Sequence, residues 1–279
     1  MKSSPQPRRS RRPQRTVSII GTGSYVPERI LTNRDLEQLV ETSDEWILTR
    51  TGISERRIAA PDEATSDMAT KAAIAAMKQA EVEPEEIDLI IVATVTPDMF
   101  FPATACWVQK KIGAVRAACF DVSAACSGFL YAMEIAQQFI STHVYNTVLI
   151  VGADKLSAIV NWSDRNTCVL FGDGAGAAIL RNRGDSHGVI ATHMGSDGEF
   201  TDILYMPGGG SRCPTTPENV HQNLNTIKML GKETYKQAVT AMSNAADRAL
   251  EAAGLKYDDI ACVIPTRQIC ASSRRSLTG

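Results

Sequence analysis

An ungapped internal repeat constrains this 279-residue chain most. Ala72, Ala73, Ala76, Ala80 and Ile87 recur as Ala245, Ala246, Ala249, Ala253 and Ile260. The acidic pair Glu85–Glu86 recurs as Asp258–Asp259, and an apolar run follows each. An alanine-rich helix, a fixed acidic link and a strand, used twice in one register, point to a duplicated α/β architecture. An accidental likeness of two alanine-rich helices is the plainer alternative.

The periodicity between the copies supports the same class. Thr16–Gly21 reads as a buried strand, and Thr32 caps a helix running to Glu41. Helices are expected over 43–49, 66–80, 104–112 and 127–142, and strands over 87–94, 117–122, 147–152, 168–171 and 177–180. The second part offers a β-like run at 188–194, a loop over 206–225, a helix over 232–253 and a strand over 260–264. Helices alternating with fully apolar strands predict a parallel or mixed sheet covered on both faces. Residues 1–15 carry six basic residues and no acid, and read as a solvated, disordered tail or a misassigned start. A targeting peptide is the lesser alternative. The expected divisions are 1–15, a first half over 16–181, a partial second half over 182–265, and a polar, basic tail over 266–279. Strand 260–264 then lacks its neighbours, so the chain is expected to be poorly stable and to aggregate.

A net charge of −2 gives no sign of a nucleic-acid partner. No apolar run reaches the roughly 20 residues of a membrane span. Seven cysteines without a paired spacing fit a reducing, cytoplasmic compartment, and the four histidines do not cluster with them into a zinc site. The glycines of Gly21-Thr-Gly-Ser-Tyr-Val lack the third member of a dinucleotide fingerprint. Gly172-Asp-Gly-Ala-Gly lacks the lysine of a phosphate loop.

Cys126 carries the sharpest chemistry. It stands between the apolar run Phe120–Val122 and a helix, with small neighbours Ala124, Ala125 and Gly128. A thiol at a helix N-terminus is expected to have a lowered pKa, with its own N–H free to face an oxyanion. The small neighbours would leave room for a substrate carbonyl. An inert core cysteine is the more common meaning of such a pattern. On residue type alone, Trp46 is a core aromatic, Arg50 and Arg165 are surface charges, and Phe101 belongs to an apolar turn.

Five motifs change that balance: Gly21-Thr-Gly-Ser-Tyr-Val-Pro, Thr42-Ser-Asp-Glu-Trp-Ile, Thr49-Arg-Thr-Gly-Ile, Asp121-Val-Ser-Ala-Ala-Cys-Ser-Gly and Phe171-Gly-Asp-Gly-Ala-Gly-Ala. In order and spacing they resemble the β-ketoacyl-[acyl-carrier-protein] synthase III family. The resemblance implies a thiolase-like fold of two duplicated βαβαβ-type halves, the second incomplete here. It implies acyl transfer from an acyl-coenzyme A to Cys126, then condensation with malonyl-acyl carrier protein to begin fatty-acid synthesis. Coenzyme A enters as a thioester substrate, and no cofactor or metal is called for. Trp46 and Arg165 match residues that sandwich the adenine, and Arg50 one near the phosphates. Phe101 matches an aromatic that crosses a homodimer interface into the partner's acyl pocket. Gly172 to Gly176 match a tight turn between core strands.

The family's catalytic histidine belongs in a Pro-His-Gln-Ala-Asn segment, where this chain has Pro265-Thr-Arg-Gln-Ile. Its asparagine and a glycine-rich oxyanion loop belong beyond residue 279. His221 is no substitute and reads as a surface residue. The chain is therefore expected to keep its nucleophile but to lack full condensation activity. Acyl transfer to another acceptor on the same fold, or a non-catalytic partner subunit, are the alternatives.

A lost nucleotide at the Pro265–Thr266 junction is the expected origin of the tail. Allowed codons for residues 266–279, read after restoring one C, give His-Gln-Ala-Asn-Leu-Arg-Ile-Ile-Glu-Thr-Leu-Ala-Asp-Arg. That is the missing segment followed by an amphipathic helix. The chain is then a pseudogene product or a sequencing error, and the working enzyme continues for roughly 60 to 75 residues more, judged from the first repeat. Sequencing the locus is expected to show His-Gln-Ala-Asn in the neighbouring frame. Any other reading there rules the frameshift out.

Overall fold

The computed structural model describes residues 16–184 and 187–265. The chain runs β1 (Ser18–Tyr25), β2 (Arg29–Thr32), α1 (Asn33–Leu36), α2 (Asp44–Thr51), β3 (Glu55–Ile58), α3 (Thr65–Ala80), β4 (Leu89–Ala93) and α4 (Thr104–Ile112). It continues with β5 (Ala118–Val122), α5 (Gly128–Ser141), β6 (Thr147–Lys155), α6 (Arg165–Cys168), β7 (Asp173–Arg181), β8 (Leu204–Tyr205), β9 (Lys228–Met229) and α7 (Gly231–Ala253). A five-stranded sheet has the order β1-β7-β6-β4-β5. Strand β4 is parallel to both β5 and β6, while β7 is antiparallel to β6 and β1, so the sheet is mixed.

Every residue of β4 is buried, as its unbroken apolar run predicts for a strand covered on both faces. One face meets α3 and α4, where Met68, Ala72, Ala76 and Val108 pack on Ile90, Val92, Leu149 and Val151. The other meets α5, whose Gly128, Ala132, Ala136 and Ile140 recur every fourth residue and form its buried stripe. Each fully buried aliphatic side chain contributes about 1.5–3 kcal/mol. A third cluster joins Leu36, Ile47, Ile58 and Phe171, with Trp46 at its margin.

The Gly21–Gly23 motif serves packing. A Cβ at Gly21 would lie 2.6 Å from the Ala76 carbonyl oxygen, and one at Gly23 would overlap the Ala72 carbonyl and the Ala76 nitrogen. The bare strand lets the backbone of α3 settle onto β1.

The two repeat segments share local geometry. Helices α3 and α7 end in left-handed residues, Glu81 (φ 54°) and Gly254 (φ 68°). The N–H of Glu81 reaches the Lys78 and Met77 carbonyls, and that of Gly254 the Glu251 and Leu250 carbonyls. Val82 N–H then donates to Met77 (3.1 Å), and Leu255 N–H to Leu250 (3.0 Å). A 3₁₀ turn follows each, Pro84–Glu86 and Tyr257–Asp259.

Four expectations need correction. Residues 168–171 form no strand: Asp164 caps the short helix α6, and the Arg56 guanidinium takes the Val169 carbonyl away from any ladder. Residues 188–194 form none either, being tied to β1's approach by Val189 N–H donating to the Val17 carbonyl (2.8 Å). Residues 260–264 join no sheet, and Ile264 is 92% exposed. The helix capped by Thr32 closes at Leu36 and continues only as turns. The expected tails 1–15 and 266–279, with the frameshift junction, lie outside the described residues.

Gly23→Ala is expected to destabilise the chain by about 3 kcal/mol, since the new methyl meets fixed helix backbone and overpacking costs about 1–3 kcal/mol. Denaturant unfolding measures this. A loss below about 1 kcal/mol means α3 can retreat from β1.

Candidate active site

Strands β4, β5 and β6 run in parallel, with Ala93 paired to Val122 on one side and Gly152 on the other. Their carboxyl ends open on one edge of the sheet, where ligand sites of parallel sheets collect. Beyond β5 the chain tightens. Ala125 takes a left-handed conformation (φ 45°), costly for a residue with a Cβ, and a 3₁₀ turn Ala125–Ser127 carries Cys126 into α5. The thiol residue is exposed.

Gly128 works differently from expectation. Its hypothetical Cβ would lie 2.9 Å from the Ala93 side chain, so its smallness serves the contact of α5 with β4. The expected lowering of the Cys126 pKa is also corrected. Burial of the sulfur's surroundings pushes the thiol up, and the Asp154 charge pushes the same way, while its own backbone N–H pulls down. Helix α5 begins two residues later, at Gly128, with Ser127 in the capping position. Cys119 is pushed up to about 12, mainly by burial, and buried Cys168 is also raised, chiefly by burial.

Three carboxylates hold the surroundings. Asp154 of β6 accepts through one oxygen from the Thr94 hydroxyl (2.9 Å), Val95 N–H (2.8 Å), Thr96 N–H (3.3 Å) and the Thr96 hydroxyl (3.0 Å). Asp121 of β5 accepts from Thr104 N–H (2.6 Å) and Ala105 N–H (2.8 Å), capping α4 from outside its own chain segment. Asp98 accepts from Ser66 N–H (2.8 Å) and the Ser66 hydroxyl (2.6 Å) at the start of α3. Between these ties lies Met99-Phe-Phe, with Phe100 86% and Phe101 84% exposed. Sequence reasoning passed over Asp154 and Asp121, although an acid ending or interrupting an apolar strand is a readable signal.

Away from the thiol, Ser43 caps α2 and fixes Trp46 one turn before Arg50. The Arg50 guanidinium carbon lies 4.4 Å from the Trp46 ring centre and that of Arg165 lies 4.6 Å from it. Such contacts contribute about 0.5–1 kcal/mol at exposed sites. Arg165 Nη1 also donates to the Glu41 carbonyl (2.7 Å). These three residues, far apart in two cases along the chain, are thus brought together. A planar group entering between Trp46 and Arg165 must displace the arginine. Cys126 and Phe101 make no hydrogen bond or ring contact with this trio among the described residues. The expected tight turn over 172–176 is instead the start of β7, with Gly174 and Gly176 paired in the ladder. Asp173, its first residue, is buried and accepts from Ala59 N–H (2.7 Å), Ser157 N–H (2.8 Å) and the Ser157 hydroxyl (2.6 Å). His221 lies exposed in a 3₁₀ turn over 220–222.

A cysteine presented at the head of a helix, beyond the carboxyl edge of a sheet covered on both faces, is placed where a bound ligand could reach it. Comparison with known proteins supplies the class, that of the 3-oxoacyl-carrier-protein synthases. The model of 3-oxoacyl-[acyl-carrier-protein (ACP)] synthase III matches residues 120–198. The β-ketoacyl-[acyl-carrier-protein] synthase III of Caldanaerobacter subterraneus subsp. tengcongensis is 56% identical over 263 residues, 93% of this chain and 80% of that protein. The crystal structure of 3-oxoacyl-[acyl-carrier-protein] synthase III from Aquifex aeolicus superimposes with a TM-score of 0.83 at 46% identity, covering 90% of this chain and 77% of the other. That of the Thermus thermophilus enzyme gives 0.84 at 41% identity, covering 92% and 80%. This chain belongs to the β-ketoacyl-[acyl-carrier-protein] synthase III family. Among the described residues no helix is long and apolar enough to cross a membrane.

Brief alkylation at neutral pH is expected to modify Cys126 before Cys106, Cys119 and Cys168, as peptide mapping would show, and equal or faster labelling of any of the three would overturn this. Because the Cys126 thiol is raised, only the minor thiolate fraction reacts at pH 7, and the rate is expected to climb close to tenfold per pH unit from 7 to 8. A plateau by pH 7 would show a depressed thiol instead.

Proposed function

We propose that this chain takes an acyl group from an acyl-coenzyme A onto Cys126, the first step of the condensation that begins fatty-acid synthesis. The placement of exposed Cys126 at the turn between β5 and α5 carries this reading. The Cys126 sulfur, deprotonated, attacks the thioester carbonyl. The carbonyl carbon's bond to the coenzyme A sulfur breaks, and coenzyme A leaves as a thiol with the proton lost from Cys126. The Cys126 N–H faces the oxyanion of the intermediate. Trp46 and Arg165 receive the adenine, Arg165 swinging off the ring, and Arg50 stays near the phosphates.

In the complete reaction, malonyl-acyl carrier protein loses carbon dioxide. The resulting enolate carbon attacks the acyl-Cys126 carbonyl and releases the Cys126 thiolate. Because Thr266-Arg-Gln-Ile stands in place of the histidine segment, this chain is proposed to stop at the acyl-enzyme. The shared cap geometry of α3 and α7 supports two duplicated halves, 16–181 and a partial 182–265, between the tails 1–15 and 266–279. Exposed Phe101 supports a homodimer in which it enters the partner's acyl pocket. A cysteine pattern without paired spacing fits a cytoplasmic enzyme.

Incubation with acetyl-coenzyme A is expected to release coenzyme A and add one acetyl group at Cys126 by mass spectrometry. Cys126→Ser is expected to abolish the adduct. Trp46→Ala is expected to raise half-saturation roughly tenfold, because base–aromatic stacking contributes about 1–3 kcal/mol. Malonyl-acyl carrier protein is expected to yield no ketoacyl product. An unmodified Cys126 after prolonged incubation would end this reading.

A further inference from the structure

Asp154 stands second from the end of β6, on the edge where β4 and β5 also end. Its four donors all come from Thr94 to Thr96, the turn by which β4 leaves the sheet. Thr96 spreads the tie further. Its hydroxyl accepts from Lys155 N–H (2.8 Å), and its carbonyl accepts from the buried Thr65 hydroxyl (2.6 Å). The turn feeds directly into Asp98, Phe100 and Phe101, whose far end Asp121 fixes through the amides of Thr104 and Ala105. The exposed loop is therefore clamped at both ends by acids on the two strands flanking β4.

We propose that Asp154 is a positioning residue for acyl transfer, holding the Thr94–Thr96 turn and the Phe100–Phe101 loop in fixed register with the Cys126 turn. The proposal deepens the acyl-transfer reading and rests on it. Four bonds converge on a single carboxylate oxygen, the Thr96 N–H shared with the Thr94 hydroxyl (3.0 Å), and charge strengthens each of them. The charged groups on the elements around Cys126 are few. Asp121 is engaged by the α4 amides, and Lys155 Nζ by the carbonyls of Ala60 (2.8 Å) and Glu63 (2.7 Å). Glu134 of α5 accepts from Gln138 (2.9 Å), while β4 carries no charge. Among these groups Asp154 acts on the thiol, second to burial, and its own carboxyl is raised, burial outweighing the four bonds that favour the charge. One residue orders the loop and sets the charge facing the nucleophile.

Two variants separate these effects. Asp154→Asn keeps an acceptor oxygen but removes the charge. Thr96→Val removes a hydroxyl partner and leaves the charge. In Asp154→Asn, iodoacetamide labelling of Cys126 at pH 7 is expected to speed up roughly threefold, because a negative charge no longer opposes the thiolate. Acylation of the same sulfur by acetyl-coenzyme A is expected to slow roughly tenfold as positioning is lost. In Thr96→Val, acylation is expected to slow while the labelling rate stays at the parent value. Amide exchange over 94–104 is expected to quicken in both, with β4 and β6 unaffected. Labelling and acylation that fall together in Asp154→Asn, or exchange that quickens evenly across the sheet, would overturn the proposal. If the parent chain forms no acyl-enzyme while labelling and exchange change as stated, the acyl-transfer reading fails and the loop-ordering role of Asp154 stands.

Discussion

Leu89 to Ala93 are cut off from water on both faces, and a strand so placed can satisfy its backbone only through ladders on both sides. The rest of the molecule follows from meeting that demand. Strands β5 and β6 supply the two ladders in parallel, so three chain segments leave the sheet at one edge. Each must then turn sharply, under α5, under α4 or into the third cluster. Cys126, the acid of β6 and the aromatic loop lie toward one end of the sheet because these turns share an edge. Burying β4 also fixes α5: Gly128 and Ala93 touch, so the helix starts where the strand stops.

Polar groups at this edge are costly unless they are fully bonded, and the structure spends its carboxylates there. Asp121, Asp154 and Asp98 each take two or more bonds from backbone or hydroxyl donors. Arg56 shows the opposite sign. It is buried with carbonyl and amide partners and, among the described residues, no carboxylate pairs with it, and burial lowers its pKa to about 10. The Asn33 side chain passes the link onward to Asp44 (2.7 Å) and the Ile53 carbonyl (2.9 Å), which joins β3 to α1 and α2 and so steadies the platform of Trp46.

Elements whose burial is set locally were legible in the sequence. Helix α4 spans the expected residues, and α3 and β5 differ from expectation by one residue at their starts. Their periodic apolar faces or unbroken apolar runs leave little freedom. Residues 168–171 have the same apolar look, yet the Val169 carbonyl goes to a side chain from β3, a long-range competition that no local pattern records. The site was legible in part. Family motifs located Cys126 and the trio around Trp46, and the fold brings that trio together. The thiol's raised pKa was hidden because it depends on burial and on an acid from β6, neither adjacent in sequence. The glycines near residue 21 were recognised as a motif, but their purpose appears only when α3 lies across them.

The Trp46 face is already occupied by the chain's own guanidinium. Arg165 is therefore an internal competitor for any flat ligand that seats there. The measured affinity of such a ligand is its intrinsic affinity scaled by the share of molecules in which the seat stands open. Strengthening the arginine's hold on the Glu41 carbonyl in its present place lowers that share, and weakening it raises the share. The affinity of any flat ligand seated there is thus tunable from Glu41 and its neighbours without changing any residue that meets the ligand.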